Sequence, residues 1–126
     1  MDKVIVKTSE LFNETLSKKI LSGNKKLADR IADFLKLKKE NPMKPFGKDD
    51  NVFVGNNPVL KHAIPNETLV HAKLTSDISI LYTITGRDPW VIKLYGIFTH
   101  DELGTGQPPN TKRMKQAAAR MSNTTF

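Results

Sequence analysis

The chain has 126 residues, of which 38% are hydrophobic and 26% charged, a composition typical of one globular domain with a single core. It contains no cysteine, which excludes disulfide scaffolds, thiolate-bound zinc and thiol nucleophiles. No apolar run is long enough to cross a bilayer, and the first residues lack the apolar core of a signal peptide. We therefore expect a soluble cytoplasmic protein with no membrane partner.

The net charge of +7 is concentrated at the two ends of the sequence. Residues 1–48 carry a net charge of +6 and residues 105–126 one of +4, whereas residues 49–104 carry −3. Basic segments on both sides of a mildly acidic centre favour a polyanionic partner, and nucleic acid is the first candidate. The alternative is an ordinary solvated, lysine-rich helix surface, and charge alone does not separate the two.

The first forty residues predict a strand followed by a helical hairpin. The β-branched run at residues 4–7 predicts the strand, and a Thr-Ser pair that can cap a helix follows it. Apolar residues spaced by three and four predict two helices, separated at Gly23, and the second ends at Asn41 before a proline. The stripe positions of the second helix are Leu27, Ile31, Phe34, Leu35 and Lys38.

The remainder predicts a sheet and a final helix. Residues 41–60 contain several prolines and glycines and predict a long loop, with brief pairing near Val52–Val54. Strands are predicted over residues 69–74, 78–85 and 90–99. After a linker, Asn110 can cap a helix over residues 111–121. The predicted fold class is α+β: an N-terminal strand and helical hairpin packed on an antiparallel sheet of about four strands, with an extra C-terminal helix.

The histidines are the first candidates for chemistry, and all lie in the sheet-forming part of the sequence: His62, His71 and His100. Metal-independent RNA cleavage needs a base for the 2′-hydroxyl, an acid for the leaving 5′-oxygen and cations near the phosphate. Histidines that converge at one sheet edge would supply the base and the acid. The supporting candidates are Lys61, Lys73 and Asp77. The alternative, which the spacing by itself favours, is three unrelated surface histidines.

Other kinds of site have little support in the sequence. No His-x-His or His-Glu-x-x-His spacing is present, so we predict no metal site and no cofactor. The last helix could lie on RNA, or it could pack on the domain with its charges solvated. The candidate RNA-binding residues are Lys25, Lys26, Arg30, Lys61, Lys112, Arg113 and Lys115.

Three segments together resemble a known family. They are Leu-Lys-His at 60–62, Leu-Thr-Ser-Asp-Ile-Ser-Ile-Leu-Tyr-Thr-Ile at 74–84, and Leu-Tyr-Gly-Ile-Phe-Thr-His-Asp-Glu-Leu-Gly at 94–104. This pattern resembles the RelE/ParE toxin superfamily, and within it the YafQ-like branch of ribosome-dependent mRNA interferases. With the helical hairpin, the resemblance covers residues 1–104 as a toxin domain. Residues 105–126, a linker and a short basic helix, extend past the usual end of the family.

The resemblance implies roles for individual residues. His62 is similar to the first catalytic histidine of the family, and either His71 or Lys73 stands where the second is expected. Asp77 resembles an acidic residue that acts as a base, and His100 resembles the histidine that protonates the leaving group.

The sequence departs from the family pattern at three positions. Ile78 stands where an aromatic is expected, Ser79 where other branches carry a catalytic arginine, and Leu103 near the terminal aromatic of the family. Base stacking is then either weaker or supplied by other residues, and the missing aromatic and arginine support the alternative of a non-catalytic protein on the same fold.

The resemblance implies a toxin of a toxin–antitoxin system. Such a toxin docks in the ribosome, cleaves mRNA there and is held inactive by a cognate antitoxin protein. One alternative is a ParE-like toxin that inhibits gyrase without catalysis of its own. Another is a non-catalytic RNA- or partner-binding protein on the same fold. The three histidines and Asp77 favour the nuclease, because a pure binder does not need titrating groups at one sheet edge.

Overall fold

The computed structural model describes residues 3–21, 25–52 and 58–126. The predicted helix break at Gly23 and most of the predicted pairing at Val52–Val54 lie outside these residues. The elements are β1 (Val4–Thr8), α1 (Glu10–Leu21), α2 (Lys25–Glu40), β2 (Asp50–Val52), α3 (Pro58–Lys61), β3 (Val70–Lys73), β4 (Ile78–Thr85), β5 (Trp90–Thr99), α4 (His100–Leu103) and α5 (Thr111–Asn123). The predicted α+β class is confirmed.

The described strands form one five-stranded sheet in the order β1-β5-β4-β3-β2. Strands β2 to β5 pair antiparallel, whereas β1 pairs parallel to β5, with Val4 opposite Trp90 and Thr8 opposite Leu94. The prediction of an antiparallel sheet was therefore wrong about β1, and the short edge strand β2 adds a fifth strand to the four or so that were predicted. The helical hairpin carries the chain from β1 to the far edge, and three antiparallel connections return it alongside β1. A hydrophobic pattern locates a strand but does not give the direction of its neighbour.

Helices cover both faces of the sheet. On one face α1 and α2 pack on the strands around a core that includes Phe12, Leu27, Ile31, Phe34, Tyr82, Ile92 and Ile97. On the other face α3, α4 and α5 pack around Leu60, Leu69, Leu81, Phe98, Leu103, Met114 and Met121. The C-terminal helix therefore belongs to the same packed unit as the strands, which confirms that it packs on the domain.

Helix α1 also completes the edge of β5 beyond the end of β1. Strand β1 pairs with β5 as far as Leu94. From there the Ser9 amide donates to the Leu94 carbonyl at 3.1 Å, and the Ser9 hydroxyl donates to the carbonyl of Tyr95 at 3.2 Å. The amide of Ile97 donates to the Thr15 hydroxyl at 3.0 Å. These bonds satisfy an edge that would otherwise be unpaired, and they hold the end of β5 in place.

Candidate catalytic site at the end of the sheet

The antiparallel order of β3, β4 and β5 brings several predicted site residues to one end of the sheet. Lys73 ends β3, Asp77 precedes β4, and His100 follows β5. The register places Lys73 opposite Ser79, and Ile78 opposite Thr99, so the three side chains belong to neighbouring strand ends. His71 lies two residues before Lys73 on the same face of β3.

His100 contacts Asp77 through hydrogen bonds of its backbone amide and through a long contact between the two side chains. Its amide lies 3.2 Å from the Asp77 carbonyl and 3.4 Å from the Asp77 carboxylate. Its Nδ1 lies 3.7 Å from Oδ1 of Asp77, and the two side chains are 40% and 63% exposed. The carboxylate on the Nδ1 side leaves Nε2 for a substrate, and both groups are open to solvent.

A helix cap fixes the backbone at His100. Thr99 caps α4 by accepting a bond from the amide of Glu102, and the Glu102 carboxylate accepts one from the amide of Thr99 at 2.7 Å. The same carboxylate pairs with Lys19 of α1 at 2.7 Å. This reciprocal cap orders the turn that carries His100, and the ion pair ties that turn to α1.

His71 is half-buried, and its surroundings favour the neutral imidazole. Burial lowers the pKa of His71, with smaller contributions in the same direction from His100 and Lys73. The carboxylates of Asp49 and Asp50 act in the opposite direction but do not outweigh burial. A neutral imidazole at neutral pH can accept a proton, as a general base must.

Lys73 supplies a cation next to the histidines. Its ammonium lies 3.7 Å from a carboxylate oxygen of Asp49, and both side chains are partly exposed. Such an exposed pair is weak, so the ammonium can exchange this partner for a phosphate. The involvement of Asp49 was not predicted, because the loop that contains it has no periodicity from which side-chain directions can be inferred.

His62 is placed differently from the other candidates. It is exposed and follows α3, and its side chain forms no hydrogen bond or ion pair with the rest of the described chain. The neighbouring Lys61 is half-buried, and its carbonyl accepts a bond from the amide of Leu69 at 3.4 Å. The structure therefore joins four of the five predicted catalytic residues and leaves the role of His62 as a prediction from the resemblance.

An open groove of about 580 Å³ lies beside His100, between the end of the sheet and the start of α5. Asp77, His100, Asp101 and Arg113 provide its charged and titratable groups, and the loop from Gly104 to Asn110 forms a wall. Arg113 pairs with the carboxylate of Asp101 across this groove. Of the predicted RNA-binding residues, Arg113 is the one beside His100.

The other predicted RNA-binding residues are distributed over three surfaces. Lys25 and Lys26 are exposed at the start of α2, and Lys112 and Lys115 line a shallow depression on α5. Arg30 is held on the sheet, where its Nε donates to the Leu74 carbonyl at 3.0 Å. Lys25, Lys26, Lys112 and Lys115 are not among the residues that line the groove beside His100.

Two of the departures from the family pattern are buried positions. Ser79, which stands where other branches carry an arginine, is 2% exposed inside the sheet. Leu103, near the expected terminal aromatic, is 1% exposed and belongs to the core under α5. Both residues therefore have packing roles here, and neither can contact a substrate.

Comparison with known proteins adds no identification: the chain matches no protein-family model, no curated protein and no solved structure. Within the described residues, no group of three or more histidine or acidic side chains could hold a metal ion. None of the described helices is long and apolar enough to cross a membrane.

Proposed function

We propose that this protein is a metal-independent endoribonuclease, a RelE-like toxin that cleaves mRNA on the ribosome. The observation that carries the proposal is the convergence of four side chains at one end of the sheet: His71, Lys73, Asp77 and His100. The α+β architecture, with a helical hairpin between the first strand and an antiparallel run of strands, is compatible with that fold family. The resemblance of residues 1–104 supports the assignment.

The arrangement supplies the groups that RNA cleavage needs. In the proposed reaction His71 accepts the proton of the 2′-hydroxyl, and the 2′-oxygen forms a bond to phosphorus. The bond to the 5′-oxygen breaks, His100 donates a proton to that oxygen, and a 2′,3′-cyclic phosphate remains. Asp77 orients the imidazole of His100, and Lys73 offsets the charge that builds on the phosphate.

Two partners follow from the proposal besides the mRNA itself. Exposed cations at the start of α2, Lys25 and Lys26, suit contact with ribosomal RNA, because neutralised phosphates release counterions. The ribosome would also position the mRNA, which an open site with two exposed groups does poorly on its own. A cognate antitoxin protein would keep the toxin inactive in the cell.

The test is cell-free translation of a defined mRNA, with primer extension to map breaks, in reactions with and without ribosomes. We expect codon-phased cuts with ribosomes, and a loss of cleavage of about 100-fold or more for His100→Ala, the usual contribution of a general acid. Arg87→Ala is the matched control, because Arg87 is exposed in the turn at the opposite end of the sheet. Intact mRNA and undisturbed translation with the wild-type protein would refute the proposal, and gyrase inhibition would then be measured.

A further inference from the structure

A second groove, of about 290 Å³, lies between α2, the loop before β2 and the turn from β3 to β4. Its charged lining consists of three cations and one carboxylate: Arg30, Lys48, Lys73 and Asp49. Lys73 lines this groove and also contributes to the histidine cluster. A ligand in the groove therefore adjoins the proposed catalytic site.

Two contacts hold the guanidinium of Arg30 in place where it lines this groove. Its Nε donates to the Leu74 carbonyl at 3.0 Å, and its guanidinium lies 4.5 Å from the centre of the Phe46 ring. Its contact with Asp33 is long, at 3.9 Å, and that carboxylate is largely exposed. A stacked guanidinium that is already ordered loses little conformational entropy when it binds a phosphate.

The loop that forms the wall of the groove is also held in place. The carboxylate of Asp50 accepts a bond from the amide of Phe46 at 2.7 Å and one from the Lys38 ammonium at 2.6 Å. The same ammonium donates to the Lys44 carbonyl at 2.8 Å. These bonds fix the backbone of the loop, and the exposed Lys48 extends from it along the groove.

The charges of the two grooves differ in sign. The groove beside His100 contains the carboxylates of Asp77 and Asp101 against one guanidinium, that of Arg113. The groove beside Arg30 contains three cations against one carboxylate. The second groove therefore attracts the flanking phosphates of a phosphodiester chain more strongly than the first groove does.

We propose that the groove of Arg30, Lys48 and Lys73 binds the phosphates of the RNA chain adjacent to the scissile bond. This inference rests on the proposed nuclease function and assigns the path of its substrate. Arg30 and Lys48 are positioning residues that contact flanking phosphates, and Lys73 lies where the path meets the histidines.

The test is a titration of the full-length ¹⁵N-labelled protein with a 2′-O-methyl tetranucleotide, which has no 2′-hydroxyl to react. We expect the amide signals of Gly47, Lys48 and Thr75 to shift. Lys48→Gln should weaken binding about fivefold at 0.1 M salt and reduce the slope of log K against log salt by about 0.7, the value for one phosphate contact on a single strand. Lys7→Gln, an equal charge change on β1 at the opposite edge of the sheet, should leave the affinity unchanged.

Equal losses for Lys48→Gln and Lys7→Gln would overturn the inference, because binding would then reflect net charge rather than the groove. Unmoved groove signals would also overturn it, even if the protein cleaves mRNA on ribosomes. Binding in the groove together with intact mRNA on ribosomes would instead refute the proposed nuclease function. The groove would then bind RNA phosphates, but no bond next to them would be cleaved. The failure of the inference and the failure of the proposed function are therefore distinguishable.

Discussion

A buried ion pair between Lys38 and Asp50 stabilises the loop that forms the wall of the groove of Arg30, Lys48 and Lys73. Breaking this pair should cost more unfolding free energy than breaking an exposed one. Nζ of Lys38 lies 2.6 Å from Oδ2 of Asp50, and the two side chains are 3% and 1% exposed. The Tyr82 hydroxyl donates to the other oxygen of Asp50, and the amide of Phe46 also donates to this carboxylate. Replacement of Asp50 by alanine removes the carboxylate but leaves the ammonium of Lys38 buried.

The expected loss of stability follows from that unpaired charge. Removing one partner of a buried ion pair costs about 3–5 kcal/mol, a large share of the roughly 5–15 kcal/mol that stabilises a small domain. The matched control is Glu14→Ala, because Glu14 pairs with Lys18 at 3.0 Å and with Arg120 at 3.7 Å, but all three side chains are more than half exposed. Those exposed pairs should contribute much less to stability than the buried pair, because solvent screens them.

Urea unfolding of both variants, followed by the fluorescence of Trp90, measures the two losses. A loss for Asp50→Ala no larger than that for Glu14→Ala would refute the argument that burial sets the magnitude. The double variant Lys38→Met/Asp50→Leu should lose less than the sum of its two single changes, because no charge is left buried in it. Additive losses would show that the two side chains act independently.

Further predictions concern pH, the second core and the loop beside His100. Burial lowers the pKa of His71 in the folded state, so as the pH falls the imidazole is protonated in the unfolded chain before it is in the folded protein. The free energy of unfolding should therefore fall as the pH drops below about 6.5, the ordinary pKa of histidine. His71→Gln should reduce the difference in unfolding free energy between pH 7 and pH 5. Met121→Ala, at a fully buried position under α5, should cost about 2–5 kcal/mol in urea unfolding. Gly104 has a φ of +76°, and a Cβ there would lie 2.2 Å from the Asn110 carbonyl oxygen, so Gly104→Ala should lower the melting temperature; an unchanged value would contradict this loop geometry.

The long regular elements were predictable because their signals are local. Strands 78–85 and 90–99 are β-branched runs bounded by a turn, and the structure confirms their limits. Asn110 caps α5 as predicted, by accepting a bond from the amide of Arg113. In each case the residues that define the element lie within one segment of the chain.

Features that depend on distant partners were not predictable in the same way. Lys38 occupies an apolar stripe position of α2, and its burial depends on Asp50, in a loop without periodicity. The parallel pairing of β1 depends on the path of the whole chain. In the candidate site, the antiparallel order of β4 and β5 places Asp77 next to His100, and this could be inferred from the predicted strands. The cations of the second groove come from α2, the loop before β2 and the end of β3, and no sequence pattern indicates that these segments meet.

The C-terminal segment is hydrogen-bonded to the turn that carries His100 and packs on the core, so a contact between α5 and RNA cannot be tested by truncation. Thr105 donates from its amide to the His100 carbonyl at 3.0 Å, and the Asn110 amide donates to the Gly104 carbonyl at 2.8 Å. Removal of residues 105–126 would therefore open the core under α5 and release the turn that carries His100. A loss of cleavage after truncation cannot be assigned to α5 as an RNA contact.

Charge substitutions on the outer face of α5 answer that question without disturbing the core. Lys112 and Lys115 are exposed, whereas Met114 and Ala117 on the same helix are buried. If α5 contacts ribosomal RNA, Lys112→Gln/Lys115→Gln should weaken ribosome binding, more strongly at low salt, and leave the urea midpoint unchanged. Unchanged binding at every salt concentration would show that Lys112 and Lys115 do not contact ribosomal RNA and that the basic face of α5 is solvated.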